Sequence, residues 1–307
     1  MSNTAARPRL LLADEIESAG WRKALEVVPR ERFLGNAVYL PDQTRGDLWT
    51  PVRRADMSTD DWLALAYANE TWVTLVAGIL AEDATGIVTG IPGRRPPRPA
   101  WLYGYAENAE YDRLIATCSV RTIPLAWTRQ VRTGGTITAP MGGWMGGVAF
   151  AHLSVDHDGT ASGRFLKDDL YFMTARSHLP PPRPPMVEGI GDSRGSRIDP
   201  SLLQDNQAAA WVAQLAVPQA QHSWNADTTF LIDVGTGSRA DASPDPAGGW
   251  TVHQHGRVRL WDEIETAIEI SQKAGRPHQS GFGLTVTRER QWVWLGDQDG
   301  PSWELPA

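Results

Sequence analysis

The stretch YDRLIATCSVRTIPLAWTRQVRTGGTI, residues 111–137, decides how the rest of the chain is read. Its opening run, 111–120, suits a strand buried on both faces, as in a parallel sheet. Pro124 then stands where a short helix begins, a position at which a missing N–H costs nothing. Gly134 and Gly135 predict a turn into another strand. Beyond them, GVAFAHLSV (147–155) and ASGRFLKDDLYFMTAR (161–176) read as two strands joined through the Asp158-Gly159 turn. Strand, helix, strand and a closing antiparallel hairpin describe the second half of a doubly wound α/β domain.

Upstream, apolar residues at helical spacing (Leu11, Ile16, Trp21, Leu25 and Val28) predict a helix that Pro29 ends. In STDDWLALAYANE, 58–70, Ser58 is the expected cap, with Asp61 three residues on and Trp62, Leu65 and Ala66 sharing a face. Residues 85–99, TGIVTGIPGRRPPRP, are too rich in proline and glycine for a regular helix or a central strand. Downstream, LPPPRPP (179–185) predicts a stiff linker and a domain boundary. RVRLWDEIETAIEISQKAGRP (257–277) is a helix with Leu260, Ile264 and Ile268 on one face, stopped by Gly275 and Pro277. GFGLTVTRERQWVWLG (281–296) reads as a hairpin.

The 307 residues allow one large domain or two ordinary ones. Hydrophobic residues make up 41% and charged residues 21%, an ordinary globular balance. A net charge of −7 supplies no basic face for nucleic acid. Cys118 is the one cysteine, which fits a reducing compartment and excludes an intrachain disulfide. No apolar run is long enough for a signal peptide or a bilayer span, so the expected location is the cytoplasm.

VPRERFL (28–34), the 111–137 stretch, the hairpin ending in LYFMTAR and the block 256–296 together resemble protein-L-isoaspartate O-methyltransferases, closest to an actinobacterial branch with an added C-terminal domain. The resemblance implies a Rossmann-like fold that binds S-adenosylmethionine and methylates a peptide carboxylate. It also implies a donor half with a glycine loop, an acid for the ribose hydroxyls, a Gly-Asp-Gly turn and a serine-rich segment. That half is expected to be missing here. After ETWVTLV (70–76) the chain runs through GIPGRRPPRPAW (90–101) and rejoins the family pattern at LYGYAENAEYDRL (102–114), with Pro99-Ala100-Trp101 in place of the Gly-Asp-Gly turn. About thirty residues stand where two βα units belong, and one βαβ unit alone takes that many.

The stretch FLIDVGTGSRADASPD (230–245) carries a glycine pattern that resembles a cofactor loop, with Asp233, Gly235 and Gly237 as the candidates. A working loop needs a following helix whose N-terminus meets the cofactor, yet Arg239 replaces the third glycine and prolines and glycines fill 240–250. A strand–turn–strand passage of the C-terminal domain is the reading adopted. Arg94, Arg95 and Arg98 are a candidate peptide- or anion-binding patch, or a solvated bridge. His253 and His255 share a strand face, but no further ligand is marked nearby, so no metal is expected. Cys118, without an identifiable base, reads as a core residue, and Asp112 as a local cap or ion-pair partner.

The expected architecture is therefore α/β: a truncated Rossmann-like methyltransferase sheet over 1–178, a linker over 179–185 and a smaller α+β domain over 186–307. The expected function is a non-catalytic or repurposed pseudo-methyltransferase that binds a peptide or protein, including an intact methyltransferase relative, with neither nucleic acid nor membrane as partner. No cofactor is expected in that reading. The alternative is an active S-adenosylmethionine-dependent carboxyl O-methyltransferase with an improvised or partner-completed donor site.

Overall fold

The computed structural model describes residues 19, 22, 23, 27, 30–32, 34–45, 47–68, 73–76, 79–89, 102–104, 106, 109–168, 170, 172–185 and 191–306, and the chain divides into two units, 1–97 and 98–307. In the first unit, β1 (Ala37–Pro41) pairs antiparallel with β2 (Leu48–Arg53), around a turn in which the Asp42 carboxylate accepts the N–H groups of Thr44 and Arg45. Helix α1 (Thr59–Tyr67) begins as expected, with Ser58 Oγ accepting the Asp61 N–H at 3.1 Å. Its apolar face buries Trp62, Leu63, Ala66 and Tyr67. A short hairpin, β3 (Leu75–Val76) and β4 (Ile79–Leu80), follows, and β5 (Val88–Thr89) adds a third strand beside β2. The helix expected near the N-terminus falls almost wholly outside the described residues.

The second unit contains the 111–137 stretch. β6 (Tyr111–Ile115), α2 (Leu125–Gln130) and β7 (Val131–Gly142) form a parallel β-α-β unit, with Leu114 opposite Ile137 and Ile115 opposite Thr138. Pro124 caps α2 in extended conformation. The Gly-Gly pair does something other than turn the chain. It sits inside β7, where the register slips so that Tyr111 faces Val131 while Arg113 faces Thr136. A Cβ on Gly135 would lie 2.8 Å from Asp112 O and 2.9 Å from Arg132 O, so the bulge needs glycine there.

β7 then pairs antiparallel with β8 (Val148–Val155), and β8 with β9 (Ala161–Phe165) across the expected Asp158-Gly159 turn, where Gly159 has φ +81. The buried pattern of β8 alternates, with Ala149, Ala151, Leu153 and Val155 inward.

The remaining chain supplies β10 (Asp192–Gly195), a short α3 (Leu202–Asp205), α4 (Gln207–Ala216), β11 (Ala220–Asn225), β12 (Thr228–Asp233), β13 (Arg239–Pro244), β14 (Trp250–His255), α5 (Leu260–Lys273), β15 (Phe282–Val286), β16 (Gln291–Leu295) and β17 (Ser302–Glu304). Strands β10-β14-β13-β12-β11 form an antiparallel sheet of five. α5 packs on β13 and β14, α4 packs on β8 and β17, and the two helices pack on each other. α4 and α5 thus sit within one hydrophobic core that draws on both sheets.

The class is α/β, as expected, but the domain boundary at 179–185 is corrected. β15 pairs antiparallel with β9, Leu284 opposite Gly163, and the larger sheet runs β17-β16-β15-β9-β8-β7-β6, seven strands drawn from both sides of that boundary. The proline segment is not a free linker either. Gln221 donates to Pro181 O at 3.0 Å and accepts from Arg183 Nε at 3.1 Å, tying the segment to β11.

One buried contact shows how α4 is held to the sheet. Gln214, 5% exposed, accepts the Gly147 N–H at 3.1 Å and donates to Gly147 O at 2.7 Å. Gln214→Leu would strand both backbone groups in the core, and is expected to lower stability by about 2–3 kcal/mol. Urea denaturation reads this as a fall in midpoint with an unchanged slope.

Candidate functional site

Among the described residues, β6 is an edge strand, with β7 on one side only. Its exposure differs from the fully buried strand that the sequence predicts. Asp112, Arg113 and Ile115 are exposed, Ile115 by 50%. The buried part of the run is instead its continuation, Ala116 and Cys118–Val120, which follows β7 by single bonds: Ala116 N–H to Thr138 O and Val120 N–H to Pro140 O, both 2.9 Å. Ser119 is fixed further by its hydroxyl, which donates to Phe172 O at 2.7 Å.

A cavity of 460 Å³ opens beside this edge, between β6, the Ala116–Cys118 segment and α2. Its volume falls in the range of small-molecule sites, and it flanks β6 along its whole length, from Tyr111 to Cys118. Trp127 and Gln130, one helical turn apart on α2, form its inner wall. Gln130 is 7% exposed; its amide donates to Tyr103 O at 2.5 Å, while Oε1 is buried without a donor among the described residues. Gly104, at φ +66, lies so close that a Cβ there would meet Oε1 at 2.2 Å, so Oε1 packs on the Gly104 backbone.

Cys118 lines the same cavity. Burial pushes its thiol up to about 11, so almost none is thiolate at neutral pH and it is no nucleophile. Asp112 is exposed and pairs with Arg132 at 2.5 Å across the bulge, a local role.

The other candidates lie elsewhere. Arg94, Arg95 and Arg98 fall outside the described residues. Asp233, Gly235 and Gly237 form a hairpin turn between β12 and β13. The Asp233 carboxylate accepts Gly235 N–H at 3.1 Å, Thr236 N–H at 2.7 Å and Thr236 Oγ1 at 2.7 Å, and Gly237 takes φ +72. Two of the turn's N–H groups thus point at its own carboxylate, and the chain continues as a strand, not a helix. His253 and His255 share the outer face of β14, opposite Asp241 and Arg239, and among the described residues no group of three ligands for a metal occurs. A second groove, of 620 Å³, lies between the Arg183–Pro185 segment and strands β11, β12 and β13.

The sequence reading missed Trp127 and Gln130 as cavity wall. Their one-turn spacing behind Pro124 was the one signal, but it also fits an ordinary core face.

The family comparison falls on the same segment. Residues 101–173 match the family described as Protein-L-isoaspartate(D-aspartate) O-methyltransferase (PCMT). A protein-L-isoaspartate O-methyltransferase of Methanococcus maripaludis strain C5 is 49% identical over 39 residues, 13% of this chain and 18% of that protein, so the match spans under a fifth of the relative's length. A solved structure of a protein-L-isoaspartate O-methyltransferase aligns over 95% of this chain and all of its own, at 13% identity and a TM-score of 0.42.

These matches correct the expectation that no cofactor is involved. The family consists of S-adenosylmethionine-dependent methyltransferases, and S-adenosylmethionine is the cofactor to which they point. Residues 101–173, which carry β6, α2, β7, β8 and β9 and the wall of the edge cavity, are thus similar to the protein-L-isoaspartate(D-aspartate) O-methyltransferase family and methyltransferase-like.

Proposed function

We propose that the chain serves S-adenosylmethionine-dependent carboxyl O-methylation of a peptide or protein, with the cavity beside β6 as one wall of the donor site. The observation that carries this reading is a strand that, among the described residues, has a neighbour on one side only and is flanked along its length by a 460 Å³ cavity, inside the family-matched segment. The wall fits the cofactor in volume. Among its described lining residues none is a carboxylate that could hold the ribose hydroxyls. In this reading the remaining wall comes from a partner polypeptide docked on the β6 edge, which among the described residues pairs with β7 alone. When bound, S-adenosylmethionine supplies the electrophilic methyl group. Trp127 excludes water from the wall, and the Cys118 thiol stays protonated and unreactive.

Isothermal titration tests this with two variants of exposed residues. Thr117→Trp fills the cavity and is expected to weaken S-adenosylmethionine by about tenfold or more. Ile115→Lys charges the edge and is expected to abolish the gain in binding that an intact relative confers. Unchanged binding in both variants would defeat the proposal. A second reading, a docking protein that transfers no methyl group, is favoured by the 50% exposure of Ile115 on that edge. Transfer of tritiated methyl to an isoaspartyl peptide separates the two: incorporation above that of the relative alone supports the first.

A further inference from the structure

His178 is held at its ring and at its backbone. The Arg121 backbone N–H donates to His178 Nδ1 at 3.0 Å, and the Trp144 indole N–H donates to His178 O at 2.8 Å. The Arg121 guanidinium lies over the same Trp144 ring, 3.5 Å from the centroid, and Nη2 donates to Pro218 O at 2.5 Å. His178 ends the 3-10 turn Arg176–His178, and the largely exposed proline segment 179–185 starts at the next residue. That segment is held again at Gln221 of β11, which donates to Pro181 O and accepts from Arg183 Nε. His178 is its first anchor and Gln221 its second.

A backbone N–H can only donate, so the bond at Nδ1 needs that nitrogen bare, in the neutral tautomer with its proton on Nε2. Protonation sets a second N–H against the first and a second cation beside Arg121. Among the described residues no carboxylate pairs with that arginine. Of the described groups facing His178, Arg121 on the β6 continuation carries the charge, and Trp144, between β7 and β8, does not titrate. Burial first, and the Arg121 charge second, lower the His178 pKa from its ordinary value. The closed arrangement is therefore fully stable above about pH 6.5 and weakens as pH falls through the folded pKa, by at most about tenfold per pH unit.

We infer that His178 is an acid-released latch on the proline segment: neutral, it pins the segment's start against Arg121 and Trp144, and protonated, it lets the segment leave β11. Once the first anchor opens, the bonds to the Gln221 side chain remain, and they are modest against the entropy of ordering the segment. Release removes the Arg183–Pro185 wall of the 620 Å³ groove, whose other side holds Phe230 and Ile232. The groove is then a property of the neutral-pH form alone. The latch is separate from the cavity beside β6 and does not rest on the methyltransferase reading.

The test follows amide exchange and ¹⁵N spectra of the full chain from about pH 7.5 to about pH 5, with rates referred to those of an unstructured chain. As pH falls, the Arg121 N–H is expected to lose protection by up to about tenfold per pH unit, and the Gln221 side-chain amide to shift with the same midpoint. The Leu153 amide, in the middle of the larger sheet, is expected to stay protected, which separates release from global unfolding. His178→Asn keeps an acceptor near the Nδ1 position that takes no proton, and is expected to stay latched throughout. His178→Ala is expected to be released at every pH. His222 of β11 is a second histidine whose pKa burial lowers, so His222→Gln is the control and is expected to keep the wild-type transition. If the His178 variants do not fold, the wild-type His178 ring resonance carries the test, because its midpoint must match that of the Arg121 N–H. Unchanged Arg121 protection, an unmoved Gln221 amide, a wild-type transition in His178→Asn, or mismatched midpoints would overturn the proposal.

Discussion

Glu265→Ala is expected to destabilise the protein by roughly 2–4 kcal/mol, because several donors lose one buried acceptor at once, two of them charged. The Glu265 side chain is fully buried on α5 and is the centre of a network. Oε1 accepts the Arg197 backbone N–H at 2.7 Å, Ser196 Oγ at 3.1 Å and the Trp261 indole N–H at 3.1 Å; Oε2 accepts Arg194 Nη2 and Arg197 Nε, both at 2.8 Å. Those bonds tie β10 and the loop after it to the helix. Asp262 shares Arg194, and Glu269 shares Arg197, so the arginines keep partners in the variant while the buried acceptor is lost.

The same residue gives stability a pH dependence. Burial pushes the Glu265 carboxyl upward, but hydrogen bonds from Arg194 and Arg197 outweigh it, and the folded pKa lies below the usual range. Its contribution is therefore fully present above the unfolded value of about 4.3 and is lost as pH falls through the folded pKa. Chemical denaturation from neutral pH downward should show wild-type stability falling in that acid window. Glu265→Gln should start lower and fall less.

Trp127→Ala is the second large effect, expected at about 3–5 kcal/mol. Trp127 is 3% exposed, belongs to the main core and forms the inner wall of the edge cavity. The variant should therefore lose both stability and S-adenosylmethionine affinity. Trp127→Phe should recover most of the stability and only part of the affinity. Thermal melts alongside titration separate the two losses, and equal recovery of both would remove the wall role from this residue.

The β-α-β unit was legible because an apolar run, a helix-starting proline and a second strand lie within 32 residues of one another, and local signals suffice at that range. What failed was non-local. The proline segment 179–185 marks stiffness, and stiffness says nothing about which strands pair; β15 reaches back to β9 across more than a hundred residues. A clue was present in β15 itself, whose five residues FGLTV are all buried, the composition of a central strand rather than a lone hairpin arm. The Gly-Gly pair misled for a related reason, since a bulge and a turn ask for the same residue. The strand edge at β6 was legible only indirectly, as the edge left by the two absent βα units; nothing in YDRLI itself tells whether a neighbour exists on its far side.

For the site, Asp233-Val-Gly-Thr-Gly matched a motif whose geometry depends on the element after the loop. That element is a strand instead of a helix. Trp127 and Gln130 had no motif, and only their packing against β6 makes them a wall.

Photolabelling tests the central claim most directly. The chain, mixed with an intact methyltransferase of the family, is irradiated with tritiated S-adenosylmethionine, and the labelled peptides are mapped by mass spectrometry. The account predicts label on this chain within residues 102–130, lost in Thr117→Trp. Label confined to the relative, or on this chain only in the 230–239 hairpin, would contradict it.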